Sequence, residues 1–200
     1  GIRVHLKKRI PSGAGLGGGS SDAASLLMFL AKCFEEHSNC PDLHALALQI
    51  GMDVPFFLHA DSALVFERGD IIYPFSVGYS LHGVLIYPDI HLSTKDAYKW
   101  LSEIPLTKRT ANLQKFVQIL QKKDTASFRQ LAYNDFERVA FPRFAELAKL
   151  KERLEGFSPL FCGMSGSGSA CYAFFLCRKE AQDCRDALQA NYPQTWLIQT

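Results

Sequence analysis

Five glycines lie within seven residues near the beginning of the sequence, in the run Pro11–Ser21, PSGAGLGGGSS. Glycine has no Cβ atom, so successive backbone N–H groups can turn into one concavity and come close to an anion. A helical pattern follows directly, and the N-terminus of a helix carries partial positive charge. The spacing predicts a phosphate-binding loop. A flexible linker is the alternative, and the patterned elements on both sides argue against it.

Three kinds of phosphate loop compete for this first glycine loop. A Walker A loop requires a lysine after its last glycine, whereas Ser20 and Ser21 follow Gly19. The dinucleotide fingerprint matches at three of the glycines, but a second helix follows the first helix where that fold requires a strand. The remaining type is a PxxxGLGxSS loop whose serines open the helix. Their hydroxyls would bind phosphate or the metal, or cap the helix, and these roles are compatible.

A carboxylate with apolar neighbours in the sequence is the next candidate catalytic group. Asp53 lies in the run GMDVPFFLHA, next to Val54 and Pro55 and close to two phenylalanines. Burial would raise the pKa of such a carboxyl group and a nearby cation would lower it, and both situations are common at active sites. Asp53 is therefore a candidate general base, and a turn or capping aspartate is the structural alternative.

A second cluster of glycine and serine occurs in FCGMSGSGSA at residues 161–170. We call residues 163–168 the second glycine loop, because a tight turn there could close against phosphates or a phosphate acceptor. A nucleophile elbow requires G-x-S-x-G, and neither Ser165 nor Ser167 is flanked by glycines at both required positions.

The elements that must position these residues follow from hydrophobic periodicity. Helices are predicted near residues 20–36, 41–51, 94–102, 110–121, 124–132, 142–155 and 178–190. Strands are predicted at 2–10, 63–67, 71–75, 82–87, the apolar run 170–176, and 195–199. The mixture indicates an α+β fold, with a change of pattern near residues 78–81 that divides the chain into domains 1–79 and 80–200.

Composition excludes several classes of protein. The 200 residues are 48% hydrophobic and 21% charged, with a net charge of +2, so neither nucleic acid nor an anionic membrane is an expected partner. Apolar runs are too short for a membrane-spanning helix. The six cysteines form no C-x-x-C pair, which favours free thiols in a reducing cytoplasm and disfavours zinc.

Five motifs, in order along the chain, resemble those of the GHMP kinases. They are PSGAGLGGGSSDAASLL, GMDVPFFLHA, YPDIHLSTKDAY, YNDFE and GMSGSGSACYAFF. The resemblance implies a two-domain GHMP kinase fold, with an N-terminal domain at 1–79 and a C-terminal α+β sandwich domain at 80–200. It also implies ATP and Mg²⁺ as cofactors, and transfer of the γ-phosphoryl group to a hydroxyl of a small molecule. Through the triple glycine and GMDVPFFLHA, the resemblance further implies a cytidylyl sugar-alcohol phosphate of the non-mevalonate isoprenoid route as that substrate.

The resemblance also implies residue roles. Asp53 would be the catalytic base. The ATP phosphates would be bound by the first glycine loop, which comprises Pro11, Ser12, Gly13, Ala14, Gly15, Leu16, Gly17, Gly18, Gly19, Ser20 and Ser21. Substrate would be bound by Thr94, Tyr98, Ser165 and Gly166, with Tyr98 stacking on the cytosine. The alternatives are a helix cap for Thr94 and a helix-face core residue for Tyr98.

Other functions stay open on the sequence. A homoserine-type or mevalonate-type kinase has the same fold, and a non-catalytic nucleotide-binding module is a different class. The family pattern includes an earlier segment with a lysine near the active site, so we expect the chain to be a fragment that lacks it, and to be short by one element at its C-terminal end. Oligomeric state and metal stoichiometry are not predicted.

Overall fold

A computed structural model describes residues 1–34, 42–59, 62–105, 117–119, 121–123, 127 and 132–200. Contacts divide the chain into two compact units. The first unit comprises Gly1–Leu16 and Gly78–Thr200, and the second comprises Gly17–Val77. Residues 1–16 are thus grouped with the C-terminal part by their contacts, whereas the predicted division into domains 1–79 and 80–200 follows the family pattern and stays a prediction.

A four-stranded antiparallel sheet forms the centre of the first unit. Its spatial order is β4 (Phe161–Met164), β5 (Cys171–Phe175), β3 (His82–Ile86) and β6 (Thr195–Gln199). β3 lies between β5 and β6, with Val84 opposite Ala173 and Leu197. Side chains alternate between the faces of a strand, so Cys171, Ala173 and Phe175 of β5 are all buried on one face. Burial raises the pKa of the Cys171 thiol to about 12, and this residue therefore packs as a small apolar group.

Helices cover the sheet and surround the core of the first unit. They are α4 (Thr94–Ser102), α5 (Glu137–Ala140), α6 (Ala145–Glu155) and α7 (Arg178–Leu188). α6 contributes Leu147, Leu150 and Leu154 to the core, at the i, i+3, i+7 spacing of one helix face. α7 contacts β3, β5 and β6, and α6 contacts β4 and β5. The site loops described below are attached to this sheet and its helices.

The described residues of the second unit form three helices and a hairpin. The helices are α1 (Gly18–Phe34), α2 (Leu43–Ile50) and α3 (Val54–His59), and each packs against the other two. β1 (Ala63–Phe66) pairs antiparallel with β2 (Ile71–Pro74) through a four-residue connection. α2 begins after Asp42, whose carboxylate accepts hydrogen bonds from the N–H groups of His44 and Ala45.

Most predicted elements are confirmed to within a few residues, but the strand at 2–10 is wrong. In the described part of the chain neither sheet includes residues 2–10, and Ile2, Val4 and Leu6 are all more than half exposed. Alternation alone does not make a strand, because a strand needs a neighbour to accept its hydrogen bonds. The predicted helices at 110–121 and 124–132 fall largely outside the described residues. None of the described helices is long and apolar enough to cross a bilayer.

Candidate active site

The first half of the first glycine loop lies against the second glycine loop within the first unit. Ser165 Oγ–H donates to the Gly15 carbonyl at 2.8 Å, and the Ala170 N–H donates to the Ala14 carbonyl at 3.0 Å. A Cβ atom on Gly15 would lie 2.0 Å from the Ser165 carbonyl oxygen, and Gly15 has a φ of +72°. Glycine at this position permits the contact between the loops, since any side chain would collide with backbone.

The same loop is also anchored at the two residues that precede Gly15. Ala14 is buried in a small cluster with Tyr87 and Ala170. On the other side of Ala14, the His91 imidazole occupies the place of a Gly13 side chain, with Cε1 2.6 Å from the ideal Cβ position. The backbone of residues 13–15 is therefore held by packing and by hydrogen bonds to the second glycine loop.

The start of α1 differs from the prediction. The helix begins at Gly18, not Ser20, and its first backbone hydrogen bond runs from the Ser21 N–H to the Gly17 carbonyl at 2.9 Å. Ser20 and Ser21 thus lie inside the first turn, and Ser21 Oγ–H donates to the Gly18 carbonyl at 2.9 Å. Neither serine is the N-cap, so the capping alternative is wrong. The N–H groups of Gly18, Gly19 and Ser20 lie outside the intrahelical ladder, as at any helix N-terminus.

Thr94 and Tyr98 lie on α4 in the first unit. Ser93 is the N-cap of this helix, because its Oγ accepts from the Asp96 N–H at 3.3 Å. Thr94 Oγ1 instead lies 3.0 Å from Ser167 Oγ in the second glycine loop. Tyr98 is 60% exposed, so it is not the core residue of the structural alternative.

Within the described part of the chain, the Tyr98 ring packs against one aromatic neighbour. Its edge-to-face partner is Phe136, with ring centroids 4.9 Å apart and planes at 84°. Phe136 itself packs against the core of the first unit. This arrangement fixes the orientation of Tyr98 while most of its surface stays open to solvent, as a stacking platform requires.

Two side chains of the YNDFE motif lie behind the second glycine loop. Asn134 Nδ2 donates to the carbonyls of Met164 and Gly166, both at 2.8 Å. Glu137 Oε1 accepts from the Met164 N–H at 2.8 Å, and Glu137 Oε2 accepts from Lys151 Nζ at 2.6 Å. A Cβ atom on Gly163 would lie 2.9 Å from Glu137 Oε1. These contacts fix the strand end from which the second glycine loop departs.

The charges around Glu137 shift the pKa values of its neighbours. Burial alone lowers the pKa of Lys151, but the hydrogen bond and negative charge of Glu137, with Glu155 adding, outweigh burial and raise it. Burial, with the charge of Glu137, raises the pKa of Tyr172 to about 12. Lys151 is therefore an ammonium and Tyr172 a neutral phenol at neutral pH, and neither is poised for proton transfer.

Asp53 lies in the second unit, in the turn before α3. Its side chain is exposed, whereas Val54 and Pro55, the first residues of the helix, are buried. The turn is held by the β1–β2 hairpin, since a Cβ atom on Gly69 would lie 2.2 Å from the Met52 carbonyl oxygen. Asp53 is thus an exposed carboxylate on a turn whose backbone packs against Gly69 of the hairpin.

No carboxylate cage for a metal ion occurs among the described residues, which hold no group of three or more His, Cys, Asp or Glu side chains suited to one. Mg²⁺ that arrives with a nucleotide needs few protein ligands, because phosphates and water complete its octahedron. The residues present fit an ion of that kind, with hydroxyl groups at the start of α1 as the available oxygen donors.

Sequence reasoning did not identify Asn134, Glu137 or His91 as part of the site. The signal for the first two was the YNDFE motif, whose polar residues were recognised as part of a pattern without a role. His91 lies three residues before Thr94 in YPDIHLSTKDAY. Their partners are far away in sequence, at residues 164–166 and 13, so spacing gave no indication of the contacts.

Two family models match the chain: the GHMP kinases N terminal domain at residues 1–61 and the GHMP kinases C terminal at residues 116–194. The chain belongs to the GHMP kinase family, and it has the two-domain α+β fold of that family.

Individual relatives show which kinases of the family the chain resembles. The chain is 39% identical over 186 residues to the 4-diphosphocytidyl-2-C-methyl-D-erythritol kinase of Chlorobium limicola. The alignment covers 92% of this chain and 64% of that protein. It is 38% identical over 177 residues to the kinase of the same name from Thermotoga petrophila, covering 88% of this chain and 64% of that protein. The chain thus spans slightly less than two thirds of the length of these relatives.

A solved structure gives the same result. The crystal structure of a 4-(cytidine 5'-diphospho)-2C-methyl-D-erythritol kinase superimposes with a TM-score of 0.78 at 30% identity, covering 96% of this chain and 68% of that chain.

Proposed function

We propose that the protein transfers the γ-phosphoryl group of ATP to a hydroxyl of 4-diphosphocytidyl-2-C-methyl-D-erythritol. The observation that carries the proposal is the packing of the two glycine-rich loops, in which the Ser165 side chain donates a hydrogen bond to the Gly15 backbone carbonyl. Two interlocked glycine-rich loops suit the positioning and charge stabilisation on which phosphoryl transfer depends. The similarity to kinases of that name over 92% of the chain supports the choice of substrate.

ATP phosphates are assigned to the first glycine loop, Pro11–Ser21. Its glycines at 13, 15 and 17 have positive φ, a conformation that allows successive N–H groups to face one anion, and the N–H groups of Gly18 and Gly19 add the positive end of the α1 dipole. Mg²⁺, when bound, would neutralise charge on the β- and γ-phosphates. Ser20 is our candidate for a hydroxyl contact to that ion or to a phosphate oxygen, since Ser21 already donates its proton to Gly18.

Asp53 is proposed as the base. The acceptor oxygen forms a bond to the γ-phosphorus, the bond from that phosphorus to the β–γ bridging oxygen breaks, and ADP leaves with the electron pair. The hydroxyl proton passes to the Asp53 carboxylate. An exposed aspartate on a packed turn has the access that such a role requires, and a positioned base contributes about 10²–10⁴-fold to the rate.

The acceptor is assigned to the first unit. Tyr98, which is 60% exposed, would stack on the cytosine, and Thr94 lies beside Ser167 at the second glycine loop. Ser165 and Gly166 complete this assignment at the tip of the loop. We further propose a cytoplasmic location, with a small molecule rather than nucleic acid or membrane as the substrate. The described cysteines are all free thiols, which supports that location.

A comparison of acceptors tests the proposal. The full chain is incubated with ATP, Mg²⁺ and one of three alcohols: 4-diphosphocytidyl-2-C-methyl-D-erythritol, mevalonate or homoserine. We expect kcat/KM for the cytidylyl alcohol to exceed the other two by at least about 10³-fold, because a site built for a hydrogen-bonding and stacking group discriminates strongly against alcohols that lack it. ATP binding without turnover of any alcohol would favour a non-catalytic nucleotide-binding module.

A further inference from the structure

Asn134 connects the two sides of Ser165. Its Nδ2 group donates to the carbonyl of Met164, the residue before Ser165, and to the carbonyl of Gly166, the residue after it. Ser165 in turn donates from Oγ to Gly15. One carboxamide therefore holds both ends of the short segment that contacts the first glycine loop.

The oxygen of the same carboxamide has a different partner. Asn134 Oδ1 accepts from the Phe136 N–H at 2.9 Å, and the Phe136 ring supports Tyr98. Asparagine thus links the backbone of the second glycine loop to the residue beneath the proposed cytosine platform.

Only a carboxamide matches these three partners. Two carbonyl oxygens face the nitrogen and one N–H faces the oxygen, so the two donors and one acceptor are all used. An aspartate would keep the acceptor towards Phe136, but would place a carboxylate oxygen against two carbonyl oxygens. Replacing the NH2 group of Asn134 by a carboxylate oxygen therefore removes the contacts to the loop while keeping the contact to Phe136.

We propose that Asn134 is a positioning residue that fixes the second glycine loop in its transfer-competent conformation and thereby aligns it with the first. This inference rests on the proposed function only for its kinetic part. Its structural part concerns the protein without ligands. It is measured at the backbone N–H groups of Ser165 and Gly168, which donate to the carbonyls of Ala170 and Ser165 at 2.8 Å and 2.9 Å.

The test compares Asn134→Asp with Asn191→Asp in the full chain. Asn191 lies in the same unit and makes one side-chain contact of known geometry, from Arg153 Nη2 to its Oδ1 at 2.9 Å, which an aspartate retains. Both variants therefore replace a carboxamide by a carboxylate, at the second glycine loop in Asn134→Asp and away from it in Asn191→Asp. Hydrogen exchange is measured at the amides of residues 163–168, without nucleotide and well below the melting temperature.

We expect exchange of the Ser165 and Gly168 amides to become about tenfold faster in Asn134→Asp and to stay at the wild-type rate in Asn191→Asp, since the first variant loses two donors to the loop backbone. In the kinetic part, we expect kcat/KM for ATP to fall about tenfold or more in Asn134→Asp. The KM for the cytidylyl alcohol should rise less than it does in Tyr98→Ala, because Ser165 and Gly166 are loosened but the contact to Phe136, which supports the Tyr98 ring, is kept.

The outcomes separate this inference from the proposed function. Equal exchange rates in the two variants, or a lower melting temperature with unchanged kinetic constants, would overturn the positioning role. Faster exchange in Asn134→Asp, together with no phosphorylation of any alcohol by the wild type, would support the structural part while rejecting the proposed kinase activity. If Asn134→Asp does not fold, Asn134→Ser takes its place, because a serine hydroxyl can still accept from Phe136 but cannot reach both carbonyls.

Discussion

Gly15 has no side chain, and the space that a Cβ atom would take lies 2.0 Å from the carbonyl oxygen of Ser165. The conformation of this residue is also one that L-amino acids rarely adopt, with φ at +72°. Backbone strain from positive φ and collision of the added Cβ atom are separate costs of a substitution at Gly15, and a comparison with a second glycine distinguishes them. Gly78 has a similar φ of +78°, but an added Cβ atom meets nothing within 4 Å.

Gly15→Ala is therefore expected to destabilise the protein more than Gly78→Ala. The Gly78 variant incurs mainly the left-handed backbone cost, about 1 kcal/mol. The Gly15 variant adds an overpacking cost of about 1–3 kcal/mol and separates the two loops. Urea unfolding of both variants measures the difference, and equal losses would contradict the close approach of the loops.

Tyr98 is predicted to act through its ring and not its hydroxyl. Tyr98→Ala should raise the KM for the cytidylyl alcohol by about 5–150-fold, which corresponds to a stacking contribution of about 1–3 kcal/mol. The KM for ATP should stay within twofold of the wild-type value. Tyr98→Phe is the matched control and should behave like the wild type. Steady-state kinetics with each substrate varied in turn would reject the stack if both KM values rose equally.

At the scale of elements, the Glu137–Lys151 ion pair joins α5 to α6. Glu137 also accepts a hydrogen bond from the N–H of Met164 at the end of β4. The pKa of Lys151 is raised in the folded protein. Its stabilising contribution is therefore complete below the unfolded-state pKa of about 10.4, and it is lost as the pH rises through the higher folded-state value.

Lys151→Met should lower the free energy of unfolding by about 1 kcal/mol between pH 7 and pH 9, a modest figure because solvent partly screens the pair. The difference from the wild type should shrink above the ordinary pKa range of lysine. Lys179→Met is the control, since Lys179 pairs with Asp183 on the exposed surface of α7 and should contribute less. Denaturant unfolding at several pH values measures both, and a difference that grows with pH would contradict this account.

The accuracy of the sequence predictions varied with the kind of element. α6 and α7 were placed to within three residues because their apolar spacing is a local signal that ends where the pattern ends. The strand predicted at 2–10 was wrong because pairing depends on a neighbour, which the local alternation does not specify. The start of α1 was set two residues late because glycine has low helix propensity, yet Gly18 and Gly19 lie in its first turn.

At the scale of the whole molecule, the sequence predicted the family and fold, and it identified both glycine-rich loops. It did not predict that they meet, because Gly15 and Ser165 are 150 residues apart. It also did not predict that Asn134 and Glu137 support the second loop, since hydrogen bonds between distant segments leave no periodic pattern. Asp53 and the substrate residues stay predictions that only measurements of activity can test.

The most direct test follows the γ-phosphate itself. ATP labelled at the γ-position is mixed with excess full chain, Mg²⁺ and 4-diphosphocytidyl-2-C-methyl-D-erythritol, and the label is followed through a single turnover. We predict that the wild type transfers the label to the cytidylyl alcohol, and that Asp53→Asn binds ATP with wild-type affinity but transfers about 10²–10⁴-fold more slowly. Transfer at the wild-type rate by Asp53→Asn would remove the base from the mechanism, and no label in the alcohol with wild-type protein would contradict the proposed activity.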